Sequence, residues 1–317
     1  ARTVEFNLND PSSIFLATVP AIHVVNSDLV KSKEVDGDWG GVWLSKNEAG
    51  SGSFELTRYD PAIGFQAKRY ADHFMGWGDK YLDEIEFRTV VEINSRVLGL
   101  LNGDFHGTDG YLPQDQVKRL AASDNVYVME QESMRIFYSI IHNGRKPFDD
   151  INLRKAISYS FDYDAFIDDI LSGSVARNPV PLPNNIWGAP KDVGGYTYDL
   201  DKAKHHLKNS GHEGVTIDLS ASNTSYGGAM DAAQLFQQHW AKIGVNLNIV
   251  QEPQDGYWNN VWNVKPFCTC YWGARPVEDM ILSIAYLSSS PWNDTLIKNA
   301  RVDELVVAAR GELDQAK

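Results

Sequence analysis

The stretch TVEFNLND (3 to 10) sets Val4, Phe6 and Leu8 against Glu5, Asn7 and Asn9. This period of two predicts a half-buried strand that Asp10-Pro11 ends. SKEVDGDWGG (32 to 41) is polar and predicts an exposed loop, and EAGSGSFEL (48 to 56) predicts a Gly/Ser joint running into a strand. Residues 66 to 90 predict a strand, an aromatic loop and a second strand with Ile85 and Phe87 on one face. EINSRVLGLLNGDF (92 to 105) spaces Val97, Leu98, Leu100 and Leu101 for a short helix stopped at Gly103, and PQDQVKRLAAS predicts another. NVYVMEQ (125 to 131) then predicts a strand. From about residue 134 the elements lengthen and alternate. MRIFYSIIHN predicts a strand and residues 149 to 171 one or two helices. Residues 198 to 211 predict a helix capped by Asp199 and closed by Gly211. VTIDLSAS, GAMDAAQLFQQHWAKIG and VNLNIVQ follow as strand, helix, strand, and QDGYWNNVWNV as a helix leading into FCTCYWGARP (267 to 276). Such alternation predicts an α/β layer.

Composition narrows what this layer is for. A chain of 317 residues, 43% hydrophobic and 22% charged, has room for two ordinary domains. It has no apolar run long enough for a membrane span. A formal charge of −13 argues against a nucleic-acid partner, which needs massed Lys and Arg. Nine tryptophans and fourteen tyrosines suit an aromatic-lined recognition cleft, although cores use them too.

Catalytic patterns are weak throughout. Gly50-Ser51-Gly52 precedes a strand, whereas a phosphate loop follows one, so it reads as a hinge or turn. His205 and His206 are adjacent on a helix, and so point about 100° apart. With His212 beyond the cap, they make a solvated helix end rather than a metal cluster. No His-Glu-x-x-His, Gly-x-Ser-x-Gly or Walker loop occurs, so no catalytic residue, metal site or cofactor is assigned. On a strand, Cys268, Cys270 and Trp272 share one face, and Phe267, Thr269 and Tyr271 the other. The two cysteines supply half a zinc site at most and are too close in sequence for an unstrained disulfide. They read as small buried hydrophobes. Weight therefore falls on Tyr271, Trp272, Gly273 and Arg275, where the strand meets a loop at its carboxyl end, the edge where α/β sheets bind ligands. Pro276, with no N–H to donate, ends the ladder.

Five stretches in order along the chain carry a resemblance. They are GSGSFEL, LNGDFHG…LPQDQVKRL, KPFDDINLRKAISYSFDYDAFI, YDLDKAKHHLKNSGH and YWGAR. The chain resembles the family 5 extracellular solute-binding proteins, receptors of oligopeptide, dipeptide, nickel and opine ABC importers. The resemblance implies an α/β periplasmic binding protein-like fold (type II, cluster C), with lobes of mixed sheet flanked by helices and joined by a hinge. Residues 1–48 would be the end of lobe II, 49–130 part of lobe I and 131–317 most of lobe III, a fragment of a longer receptor. The hinge would lie at Gly50, Ser51 and Gly52 and at Glu130, Gln131 and Glu132, where two strands would cross between lobes.

The implied function is a periplasmic or extracellular receptor, not an enzyme, that closes on a small polar ligand such as a peptide or opine and delivers it to an ABC permease in the inner membrane. Where peptide-binding relatives carry an Asp for the ligand ammonium, this sequence has Arg275, so the expected ligand carries an anionic group. The competing local reading pairs Arg275 with Glu278 or Asp279. Two other classes stay open: a thiol- or metal-dependent enzyme using Cys268 and Cys270, and a sensory or chaperone binding protein on the same fold. Trp187, in NNIWGAP, is expected to plug the core of the third lobe.

Overall fold

The computed structural model describes residues 3–110, 112–223 and 225–314. The chain divides into two compact units, Ala1–Ala17 with Asp109–Lys317, and Thr18–Thr108.

The Thr18–Thr108 unit holds an antiparallel meander of β1 (Phe54–Asp60), β2 (Gly64–Arg69) and β3 (Glu84–Arg88). Asp60 makes the first turn, its carboxylate accepting the Ala62 N–H at 2.9 Å. Helix Ile93–Asn102 closes as its sequence requires, with Gly103 in the left-handed region at φ 80°.

The larger unit is built on a four-stranded sheet in the order β4 (Ile136–Ile141), β7 (Phe267–Trp272), β5 (Thr216–Ala221), β6 (Asn246–Gln251). The β5–β6 and β5–β7 pairs are parallel and β4–β7 is antiparallel, a mixed sheet. Helix Ala229–Ala241 is the crossover from β5 to β6. With helices Ile151–Ser160 and Leu200–Ser210 it contributes to the main core, where Trp240, Phe236, Phe148 and Phe267 meet Leu153, Leu207 and Leu219. Alternation along β7 divides the strand between two cores. Phe267 enters this one, while Cys268 and Cys270 join Ile140, Tyr257 and Val261.

Local signals acted where expected. Asp150 caps its helix by accepting the Leu153 N–H, and Asp199 does the same for Lys202. Two expected strands do not form. Residues 3–10 are irregular, with Val4 75% exposed, and residues 125–131 are irregular, with Tyr127 87% exposed. Alternation supplies a face, but a strand also needs a neighbour for its backbone groups, and neither stretch has one among the described residues. Trp187 also departs from expectation. It is 62% exposed, while Ile186 and Ala189 on either side enter the small core with Leu182 and Ile281. Tight turns at Pro183–Ile186 and Ile186–Ala189 rotate the tryptophan outward.

Candidate functional site

The carboxyl end of β7 is where the expected ligand residues gather. Register with the antiparallel neighbour sets Trp272 opposite Ile136, Tyr271 opposite Phe137 and Cys270 opposite Tyr138. The start of β4 therefore shares this edge with the end of β7, and brings Arg135 to it.

The two aromatic residues face opposite ways and differ in their freedom. Tyr271 is already covered: the Arg135 guanidinium carbon lies 3.6 Å from its ring centroid, and Trp258 meets it edge-on at 5.1 Å. Trp272, on the other face, is buried against Trp262 and Trp292. Trp262 stands edge-on to it at 5.9 Å and 86°, and Trp292 stacks on it at 6.2 Å and 26°. Gly273 leaves open space, since a Cβ there would meet nothing nearer than Arg275 Nη1 at 3.8 Å. The half-buried Arg275 sits with its guanidinium carbon 5.9 Å from the Trp272 ring, and one Nη1 donates to the Ala274 carbonyl at 3.2 Å. The expected local alternative does not form: Asp279 instead accepts from Arg310 Nε at 3.4 Å, and Arg275 has no carboxylate partner among the described residues.

Behind this edge lies a buried polar cluster that pattern reading missed. Asp294, 1% exposed, accepts on one oxygen from the Tyr138 hydroxyl at 2.5 Å and from the Trp262 indole N–H at 3.1 Å. Burial pushes its carboxyl above the usual carboxylate range, opposed by those two donors. Nothing in PWNDT distinguishes Asp294 from a turn residue; only the tertiary contacts do.

Cys268 and Cys270 are free and buried. Burial, and next the Asp294 charge, pushes the Cys268 thiol up to about 12, and burial raises Cys270 well above its usual value. Both are thiols at neutral pH, a form unsuited to act as a nucleophile. No group of three His, Cys, Asp or Glu side chains converges on a metal-sized position among the described residues. His206 bonds Asn152 at 3.1 Å and His205 bonds Asn209 at 3.0 Å, each occupied locally. Gly50, Ser51, Gly52, Glu130, Gln131 and Glu132 are exposed and outside any helix or strand. The first three fall in the Thr18–Thr108 unit and the others in the larger one.

The family model for bacterial extracellular solute-binding proteins, family 5 (Middle), matches residues 1–294, and the chain belongs to that family. It is 31% identical over 205 residues to the probable D,D-dipeptide-binding periplasmic protein DdpA of Escherichia coli K12, covering 64% of this chain and 39% of that one. Among solved structures, DppA from Helicobacter pylori in complex with the peptide STSA superposes with a TM-score of 0.84 at 23% identity, over 98% of this chain and 61% of that one. MoaA from A. tumefaciens R10 in complex with mannopinic acid gives 0.74 at 24%, over 92% and 58%. The fold is thus that of the periplasmic binding proteins, and the chain spans less than two thirds of the length of each of these relatives.

Proposed function

We propose that the protein is the solute receptor of an ABC importer, working in the periplasm or outside the cell and delivering a small polar ligand to an inner-membrane permease. In this reading lobes bounded near residues 48 and 130 close about Gly50–Gly52 and Glu130–Gln131. The ligand lies against Trp272 and Gly273 and offers an anionic group to Arg275. One observation carries the reading: Arg275, at the carboxyl end of β7, has no carboxylate of its own among the described residues, while Asp279 is taken by Arg310. A guanidinium on a strand-end loop beside open space matches a carboxylate by two parallel hydrogen bonds. Family membership supports a binding role, and the relatives' ligands, D,D-dipeptides, STSA and mannopinic acid, all carry a carboxylate.

Calorimetric titration of the full-length protein with D-alanyl-D-alanine, Met-Leu, glutathione and mannopinic acid tests this. At least one should bind, and Arg275→Asp should weaken it by about 2–5 kcal/mol, the cost of stripping one partner from a desolvated charge pair. Unchanged affinity in that variant would remove Arg275 from the site.

A further inference from the structure

Trp272 carries an anomaly. Its ring is 7% exposed, yet its indole Nε1 has no hydrogen-bond partner among the described residues. A buried tryptophan ordinarily ties that N–H to an acceptor, and the tie fixes the ring's rotation. Here ring contacts, with the Arg275 guanidinium 5.9 Å from its centroid, take that place. The partners are Trp292, stacked on it, and Trp262, whose edge meets both, at 5.9 Å and 86° to Trp272 and at 5.8 Å and 89° to Trp292. Trp262 is a wedge perpendicular to a nearly parallel pair. Its own rotation is fixed, because its Nε1 donates to Asp294 at 3.1 Å. The accepting oxygen also takes the Tyr138 hydroxyl at 2.5 Å, and Tyr138 is anchored on β4 opposite Cys270, two residues before Trp272. One carboxylate oxygen thus links β4, the 261–264 turn and the loop that carries Trp292.

We infer that Asp294 is a positioning residue for the ligand edge: by holding the Trp262 indole it sets the wedge that keeps Trp272 and Trp292 parallel. The inference rests on the reading of Trp272 as a wall of the ligand site. The geometry separates this role from generic core packing. Edge-to-face aromatic contacts are shallow in angle, so a freed wedge lets the stacked pair rotate without opening a cavity. Removing the acceptor should therefore alter the wall before it alters the fold. The role belongs to the acceptor, not to the negative charge. Asparagine, which keeps a carbonyl oxygen in the same place, should preserve it, whereas leucine, of similar volume, should not.

The test uses the full-length protein and two readouts. Near-ultraviolet circular dichroism, which needs no ligand, reports the mutual orientation of the three indoles. Calorimetry reports affinity for D-alanyl-D-alanine, Met-Leu and mannopinic acid. Asp294→Leu should diminish the tryptophan dichroism and weaken binding by roughly 5- to 30-fold, about 1–2 kcal/mol. Asp294→Asn should restore both. Trp262→Phe keeps a ring but loses the N–H, and guards against a leucine variant that fails to fold. It should weaken binding as the leucine variant does, and combining the two should add little to that loss, because the Trp262–Asp294 bond is among those Asp294→Leu removes. A folded Asp294→Leu with wild-type dichroism and affinity overturns the inference, as does full additivity with Trp262→Phe. If Trp272→Ala leaves affinity untouched, the ligand-wall reading itself fails, a result distinct from an Asp294 variant that leaves the dichroism unchanged.

Discussion

His142, just past the end of β4, shows how burial alone sets a titration. Its side chain is fully buried, and burial first, then the neighbouring Arg145 cation, lowers its pKa from 6.5 to about 4. Between those values the unfolded chain binds the proton that the folded chain refuses, so stability falls as pH drops from about 6.5 toward 4. His142→Leu removes that linkage. The wild type should lose about 1–2 kcal/mol more than the variant between pH 7 and 4.5 in urea unfolding, after allowance for solvent screening. Equal losses would show that the imidazole titrates alike in both states. At Trp187 the structure reverses the expected outcome. With 62% of the residue exposed, Trp187→Ala should move stability by no more than about 0.5 kcal/mol, as surface substitutions usually do. A loss of several kcal/mol in thermal unfolding would restore the plug.

At the scale of elements, one glycine holds the small sheet together. Gly64 opens β2 at φ 128°, where its missing side chain admits the Phe87 carbonyl: a Cβ would lie 1.9 Å from that oxygen. Only glycine tolerates both the angle and the contact. Gly64→Ala should cost about 2–4 kcal/mol through strain and overlap and separate β3 from β2. Loss of strand signal in far-ultraviolet dichroism with a lowered urea midpoint checks it. The helices rest on shorter-range causes. Asp150, Asp199 and Asn299 each accept N–H groups from the first turn that follows, contacts made within three residues. Residues 3–10 and 125–131 show the opposite dependence. They alternate where β4 is a nearly continuous apolar run, but β4 has β7 to pair with.

Across the molecule, buried apolar mass is uneven. The three hydrophobic clusters described all lie within the Asp109–Lys317 part of the larger unit. In the Thr18–Thr108 unit, Trp39 is 76% exposed, Phe74 77% and Met75 79%. Segments with few buried contacts open at low free-energy cost. Brief chymotrypsin treatment should cut first after Trp39, Phe74 or Tyr127, leaving the fragment around β4, β5, β6 and β7 intact. First cleavage inside residues 216–272, read by mass spectrometry, would reverse that ranking. β1 and β3 are the edges of their sheet, so a freed unit of this kind should also self-associate through strand pairing.

What the amino-acid order decided by itself were features whose causes act over a few residues. These are helix starts and stops at Asp150, Asp199, Gly103 and Gly211, the division of β7 into a Cys268 face and a Thr269 face, and the ordered stretches that carry the family likeness. Arg275 at a strand end was legible for the same reason. The tertiary structure alone decided which alternating stretches became strands, because strand hydrogen bonds are made with distant partners. It alone showed that Arg135, 136 positions before Tyr271, lies on that ring, and that Trp262, bonded to Asp294, meets both Trp272 and Trp292 edge-on. Such contacts depend on chain reversals that no local period encodes, so a buried aspartate in a serine- and asparagine-rich loop looks like any turn residue until the sheet brings its donors to it.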